Sequence, residues 1–166
     1  MDKGTVRVIC GHGQGKTNCA VGEGMREAAQ GRRVTMIQFL KGNETCVSEI
    51  WKRLEPEMRI FRFEKSAAFF ETLTEEEKAE ERINIRNGLN FAKKVMATGE
   101  CDVLILDEIL GILDQQIITD EELEAFLAAR EEEMDLILTG QEFPSRWNSS
   151  VDHITKIENV EVDNHT

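Results

Sequence analysis

Two short segments carry side chains able to handle a phosphorylated ligand. In the first, Gly11-His12-Gly13-Gln14-Gly15-Lys16-Thr17, glycines let successive main-chain N–H groups converge on phosphate oxygens. Lys16 adds a full positive charge, and the Thr17 hydroxyl is the ligand type that takes a Mg2+ bridging phosphates. The second segment, Asp102-Val103-Leu104-Ile105-Leu106-Asp107-Glu108, delivers two carboxylates after an apolar run. Mg2+ takes one or two carboxylates and leaves the rest of its coordination to phosphate and water. Lys16 and Thr17 are thus the candidate catalytic groups, and Thr17, Asp107 and Glu108 the candidate metal ligands. Glycines alone would equally suit a plain turn, and carboxylates alone a solvated strand end. Gly-Lys-Thr at a helix start, facing a second strand that ends in carboxylates, favours phosphate binding. The loop is a shortened variant, because the usual spacing calls for glycine at position 10 and the chain has Cys10.

Such a site needs strands that end, and helices that begin, at one edge of a sheet. Val6 to Cys10 is a short β-branched run closed by glycines, which predicts a buried strand. A helix from Asn18 to Gln30 follows, with Gly31 placed for a left-handed cap. Val34 to Leu40 and Arg59 to Phe63 are further strand candidates, with a short helix around Trp51 and Leu54 ending near Pro56. Thr74 with Glu77 forms a capping box opening the longest helix, which runs to Gly99, and Thr119 with Glu122 opens another, to about Arg130. Val103 to Leu106 and Asp135 to Thr139 read as fully buried strands. Pro144 suits the first turn of a short helix, and Ile154 to Val162 an edge strand. Apolar strands alternating with amphipathic helices imply an α/β fold, a mostly parallel sheet covered on both faces. No repeat or linker interrupts residues 1–166, so one domain is expected.

Composition narrows the ligands. With 20 Lys and Arg against 32 Asp and Glu, the formal charge of −12 repels nucleic acid and anionic lipid. An anionic ligand therefore needs a local pocket. Cys10, Cys19, Cys46 and Cys101 form no Cys-x-x-Cys pair, and no apolar run is long enough for a signal peptide or a membrane span. A cytoplasmic protein with reduced thiols is expected. His12 can reach a nucleotide, whereas His153 and His165 lack partners at metal spacing. Phe69 and Phe70, just before a capped helix, suit the core by default or could line a flat ligand.

The shortened loop GHGQGKT, the strand and turn VTMIQFLKG, the carboxylate strand DVLILDEILGIL and the strand LILTG occur in one order. Together they resemble the P-loop family of ATP:corrinoid adenosyltransferases, from about Val6 to Val160. The resemblance implies a RecA-like sheet, a homodimer, ATP and Mg2+, and a corrinoid substrate whose Co(I) attacks the 5′ carbon of ATP so that triphosphate leaves whole. It implies too a reductant, such as a flavoprotein, that generates Co(I). By matching positions, Gly11 to Thr17, with His12 and Gln14 among them, cradle the triphosphate. Asn18 and Gln38 join the nucleotide site, and Thr17 with Asp107 or Glu108 holds Mg2+. Phe69 and Phe70 fall near the aromatic segment that displaces the lower axial ligand of cobalt. Four departures accompany the match. Asn18 stands for the family's threonine, Glu71 accompanies the phenylalanines, Gln141 replaces arginine in Thr-Gly-Arg, and the family's basic tail is lacking. An ATP-binding partner without transferase activity, and a RecA-like ATPase or kinase, are the alternatives.

Overall fold

The computed structural model describes residues 2–40, 49–63 and 69–163. Its strands are β1 (Val6–Cys10), β2 (Val34–Gln38), β3 (Met58–Arg62), β4 (Val103–Asp107), β5 (Asp135–Thr139) and β6 (His153–Lys156). They form one six-stranded sheet in the order β3-β2-β4-β5-β1-β6, and every pairing is parallel. The α-helices that position the site are α1 (Lys16–Ala29), α2 (Glu75–Thr98), α3 (Ile109–Asp114) and α4 (Asp120–Ala128).

Alternation within each strand divides the core. Val34, Met36, Val103, Ile105, Ile137 and Ile9 pack with Ala20 and Val21 of α1 on one face. Ile37, Leu104, Leu106, Leu136 and Leu138 pack on the other, against Ile85 and Leu89 of α2, Ile109 and Ile112 of α3, and Leu123 of α4. The central strands β2, β4 and β5 are buried along their whole length, which explains their mainly apolar sequences. Both predicted capping boxes are present, at Thr74 with Glu77 and at Thr119 with Glu122. Among the described residues no helix is long and apolar enough to cross a membrane.

Several boundaries differ from expectation. The first helix starts at Lys16 rather than Asn18, because Gly15 (φ 102°) itself serves as the N-cap. Strand β2 stops at Gln38, and Lys41 and Gly42 of the predicted turn lie outside the described residues. Strand β6 ends at Lys156, not Val162: Ile157 donates its N–H to Cys10 O at 2.8 Å and accepts from Gly13 N at 2.9 Å, so the chain leaves the edge to brace the glycine loop. Helix α3 was not anticipated, since six residues opened by a left-handed Glu108 carry neither a cap signal nor a full amphipathic period.

At the opposite end of the strands, Asp135 accepts from Thr5 N–H and from Arg32 Nη1, each at 2.6 Å, and Arg32 also donates to Glu27 at 2.6 Å. Burial disfavours the charged carboxylate most strongly, yet the Thr5 N–H and the Arg32 guanidinium together hold Asp135 below its ordinary value. A depressed carboxylate stabilises the fold above its unfolded pKa and loses that contribution as pH falls through the folded one. Asp135→Asn should therefore cost about 1.5–3 kcal/mol at neutral pH by denaturant unfolding. The gap to wild type should close as pH drops below about 4. A gap that is independent of pH would argue against an ionic role.

Candidate functional site

The loop between β1 and α1 owes its path to glycine at two positions. Gly11 has φ 109°, and a Cβ there would run into the carbonyl oxygen of Ile157; its own N–H donates to Gln141 O at 2.8 Å. Gly15 has φ 102° with nothing within 4 Å of a built Cβ, so backbone conformation alone demands glycine there and the space above it is open. The loop is thus tied down at its base and open at its crown, where α1 begins. Helix N-termini leave main-chain N–H groups without intrahelical partners and carry partial positive charge. Lys16 Nζ donates to Gly13 O at 2.9 Å, folded over the loop, and Gln14 N–H reaches Asn159 Oδ1 at 3.3 Å. His12 and Glu142, both exposed, meet at 2.5 Å beside the loop.

Below the crown lies a fully buried carboxylate. Asp107, the last residue of β4, is 0% exposed. The Thr17 hydroxyl lies 3.1 Å from both of its oxygens, Thr139 Oγ1 donates to Oδ1 at 2.6 Å, and Gln38 Nε2 donates to Oδ2 at 3.2 Å. Thr139 Oγ1 in turn accepts the Glu108 N–H at 2.9 Å, holding the left-handed turn (φ 65°) that starts α3. The first turn of α1 and the tips of β2, β4 and β5 therefore meet at one carboxylate. Cys10, at the strand end before the loop, has its thiol pushed up by burial, against the weaker opposite pull of Lys156 and Lys16, with Glu142 adding to the rise. A neutral thiol is a poor nucleophile.

The structure brings Gly11 to Thr17 and Asp107 together. Of the two predicted carboxylates, Asp107 accepts from the Thr17 hydroxyl, and Glu108 donates its N–H to Thr139 and makes the left-handed turn. Gln38 is buried between Asp107 and Arg62 rather than open to a nucleotide. Asn18 is exposed on α1. The two phenylalanines part company: Phe70 is a core residue at 8% exposure, whereas Phe69 is 74% exposed. Thr139 is a site residue that the sequence motifs do not mark. Its signal was present, a hydroxyl ending the apolar run Leu136 to Leu138, but only strand order puts it beside Asp107. A second concavity, about 600 Å3, lies at the other end of the sheet, lined by Arg33, Thr35, Arg59 and Phe61. Arg33 there is engaged by Asp102 at 2.9 Å.

A family model described as ATP:corrinoid adenosyltransferase BtuR/CobO/CobP matches residues 2–164. The chain is 27% identical over 140 residues to a corrinoid adenosyltransferase of Escherichia coli, covering 84% of this chain and 69% of that protein. The same figures hold for the corrinoid adenosyltransferase CobA of Salmonella typhimurium. Among solved structures, a KaiC-like protein of Pyrococcus horikoshii superposes with a TM-score of 0.57 at 19% identity, over 86% of this chain and 63% of that one. That likeness concerns the fold alone, an α/β P-loop fold of RecA type.

Thr139→Val should cost about 1.5–3 kcal/mol of stability, because it removes a charge-assisted donor from a buried carboxylate at nearly constant side-chain volume. Thr139→Ser should recover most of the loss in denaturant unfolding. Equal stability of all three proteins would show that Asp107 does not depend on this hydroxyl.

Proposed function

The chain belongs to the ATP:corrinoid adenosyltransferase family, and from that premise we propose that it transfers the 5′-deoxyadenosyl group of ATP to Co(I) of a reduced corrinoid, releasing triphosphate. The observation that supports this reading is the Thr17 hydroxyl set on buried Asp107 beneath an open, N–H-rich helix start. The loop amides and Lys16 bind the triphosphate, Lys16 by exchanging its contact with Gly13 O for a phosphate oxygen. Removing charge from the leaving group is the main demand on the protein, since the nucleophile is the cobalt of the substrate. No general base is needed.

The donor set fits Mg2+. A hydroxyl is a hard oxygen ligand and the carboxylate beside it supplies negative charge, and among the described residues no group of three or more His, Cys, Asp and Glu could hold a metal by itself. Phosphate oxygens and water would supply the remaining coordination, as Mg2+ prefers. When bound, the ion neutralises the triphosphate and makes it a better leaving group. Thr17 and Asp107 would hold it, the hydroxyl directly and the carboxylate by orienting that hydroxyl.

The exposed Phe69 ring is the apolar surface we assign to the corrinoid. Gln141, exposed beside the loop, brings no charge where an arginine would. Adenosylation that is slow or selective among corrinoids follows. A homodimer and a flavoprotein reductant that delivers Co(I) complete the proposal.

The test is an anaerobic incubation with ATP, Mg2+ and chemically reduced cobalamin, following the cobalt–carbon bond by absorbance and the phosphorus products by 31P NMR. Triphosphate should form in step with adenosylcobalamin, with no ADP. Lys16→Ala should weaken ATP binding roughly tenfold to a hundredfold with the fold unchanged. ADP formation without corrinoid would replace the transferase reading with an ATPase one, and ATP binding with neither product would favour a regulatory nucleotide-binding protein.

A further inference from the structure

Four adjacent strands end in polar residues that share one face of the sheet. Register aligns Gln38 with Arg62 on β3 and with Asp107 on β4, and the Leu106–Leu138 pairing puts Thr139 of β5 beside Asp107. Each of the four is the last residue of its strand. All lie on the α1 side, since they keep the alternation of Met58, Met36, Ile105 and Ile137. The final rung of the sheet is therefore a polar row beneath Thr17.

The row has a direction. Arg62 Nε donates to Gln38 Oε1 at 2.9 Å, and Gln38 Nε2 donates to Asp107 Oδ2 at 3.2 Å. A guanidinium has donors only, so a bond to it requires the oxygen of the Gln38 amide, which turns the amide N–H toward Asp107. The opposite flip would set an amide oxygen against a carboxylate in a fully buried place. The Arg62 guanidinium also lies over the Trp51 ring, 5.8 Å from its centroid.

We propose that Arg62 is a positioning residue for the Mg2+-nucleotide site, acting through the Gln38 amide to hold the Asp107 carboxylate in the orientation that serves Thr17. This rests on the nucleotide site argued above. Arg62 acts at a distance, because buried Gln38 stands between it and Asp107. Groups that orient a metal's ligands typically change its affinity tenfold to a hundredfold.

A double-mutant cycle with one ligand-free readout tests it. In 15N-labelled protein without nucleotide, Arg62→Met should shift the Gln38 side-chain amide resonances and speed the exchange of its two protons with solvent. By calorimetry, Arg62→Met should weaken Mg-ATP about tenfold while metal-free ATP changes by less than about twofold. In an Asp107→Asn background the same substitution should add nothing. Gln38→Met, which cuts the link while keeping volume, should reproduce the Arg62→Met loss and make it silent, and it carries the test should Arg62→Met fail to fold. Equal weakening with and without Mg2+, additive losses in the cycle, or an unmoved Gln38 amide would each overturn the proposal. Failure of the underlying site reads differently: Lys16→Ala would then leave ATP affinity unchanged while the Gln38 resonances still respond to Arg62.

Discussion

A carboxylate with no exposed surface has to be enclosed by donors, because an ion taken out of water without partners costs several kcal/mol or more. Asp107 meets that demand with Thr17, Thr139 and Gln38, which come from α1, β5 and β2. The requirement couples parts of the chain far apart in sequence. Strands β2, β4 and β5 must end level, and α1 must start directly over them, or the carboxylate is stranded. The same convergence puts the first turn of a helix, with its outward N–H groups, above a negative centre. A multivalent cation between a phosphate chain and this carboxylate would satisfy both.

The shortened loop depends on a second constraint. Its base is stitched to the sheet by Gly11 N–H to Gln141 O and by the exchange between Ile157 and the pair Cys10 and Gly13. The chain after β6 thereby becomes part of the loop's support. Backbone from the edge of the sheet supports the loop's base, and the close approach of Ile157 excludes any side chain at Gly11. Rigidity at the base and openness at Gly15 suit a cradle whose occupant supplies the remaining hydrogen bonds.

Much of this was readable from residues. Unbroken apolar runs predicted the buried central strands, capping boxes predicted the starts of two helices, and Gly-Lys-Thr after a strand predicted the loop. These signals are local, each spanning a handful of neighbours. What escaped notice depends on strand order. Thr139 and Arg62 join Asp107 and Gln38 only because β3, β2, β4 and β5 are neighbours in register. The resemblance implies a nucleotide contact for Gln38, whose side chain is buried and donates to Asp107. Phe70, which by sequence suits the core or a flat ligand, lies in the core cluster. Strand β6 was read too long because alternating Val160 and Val162 look like a strand, while the hydrogen bonds of Ile157 pull the chain toward the loop.

The glycine loop and the polar ends of the strands converge on Asp107, and we propose that they form one phosphate site. Titrating Mg-ATP into 15N-labelled protein and following amide shifts tests it most directly. Main-chain amides of Gly13 to Thr17, the Thr139 amide and the Gln38 side-chain amide should move together along one saturation curve. Shifts confined to the cavity at the opposite end of the sheet, around Arg33, Thr35 and Arg59, with the loop amides unmoved, would contradict the account.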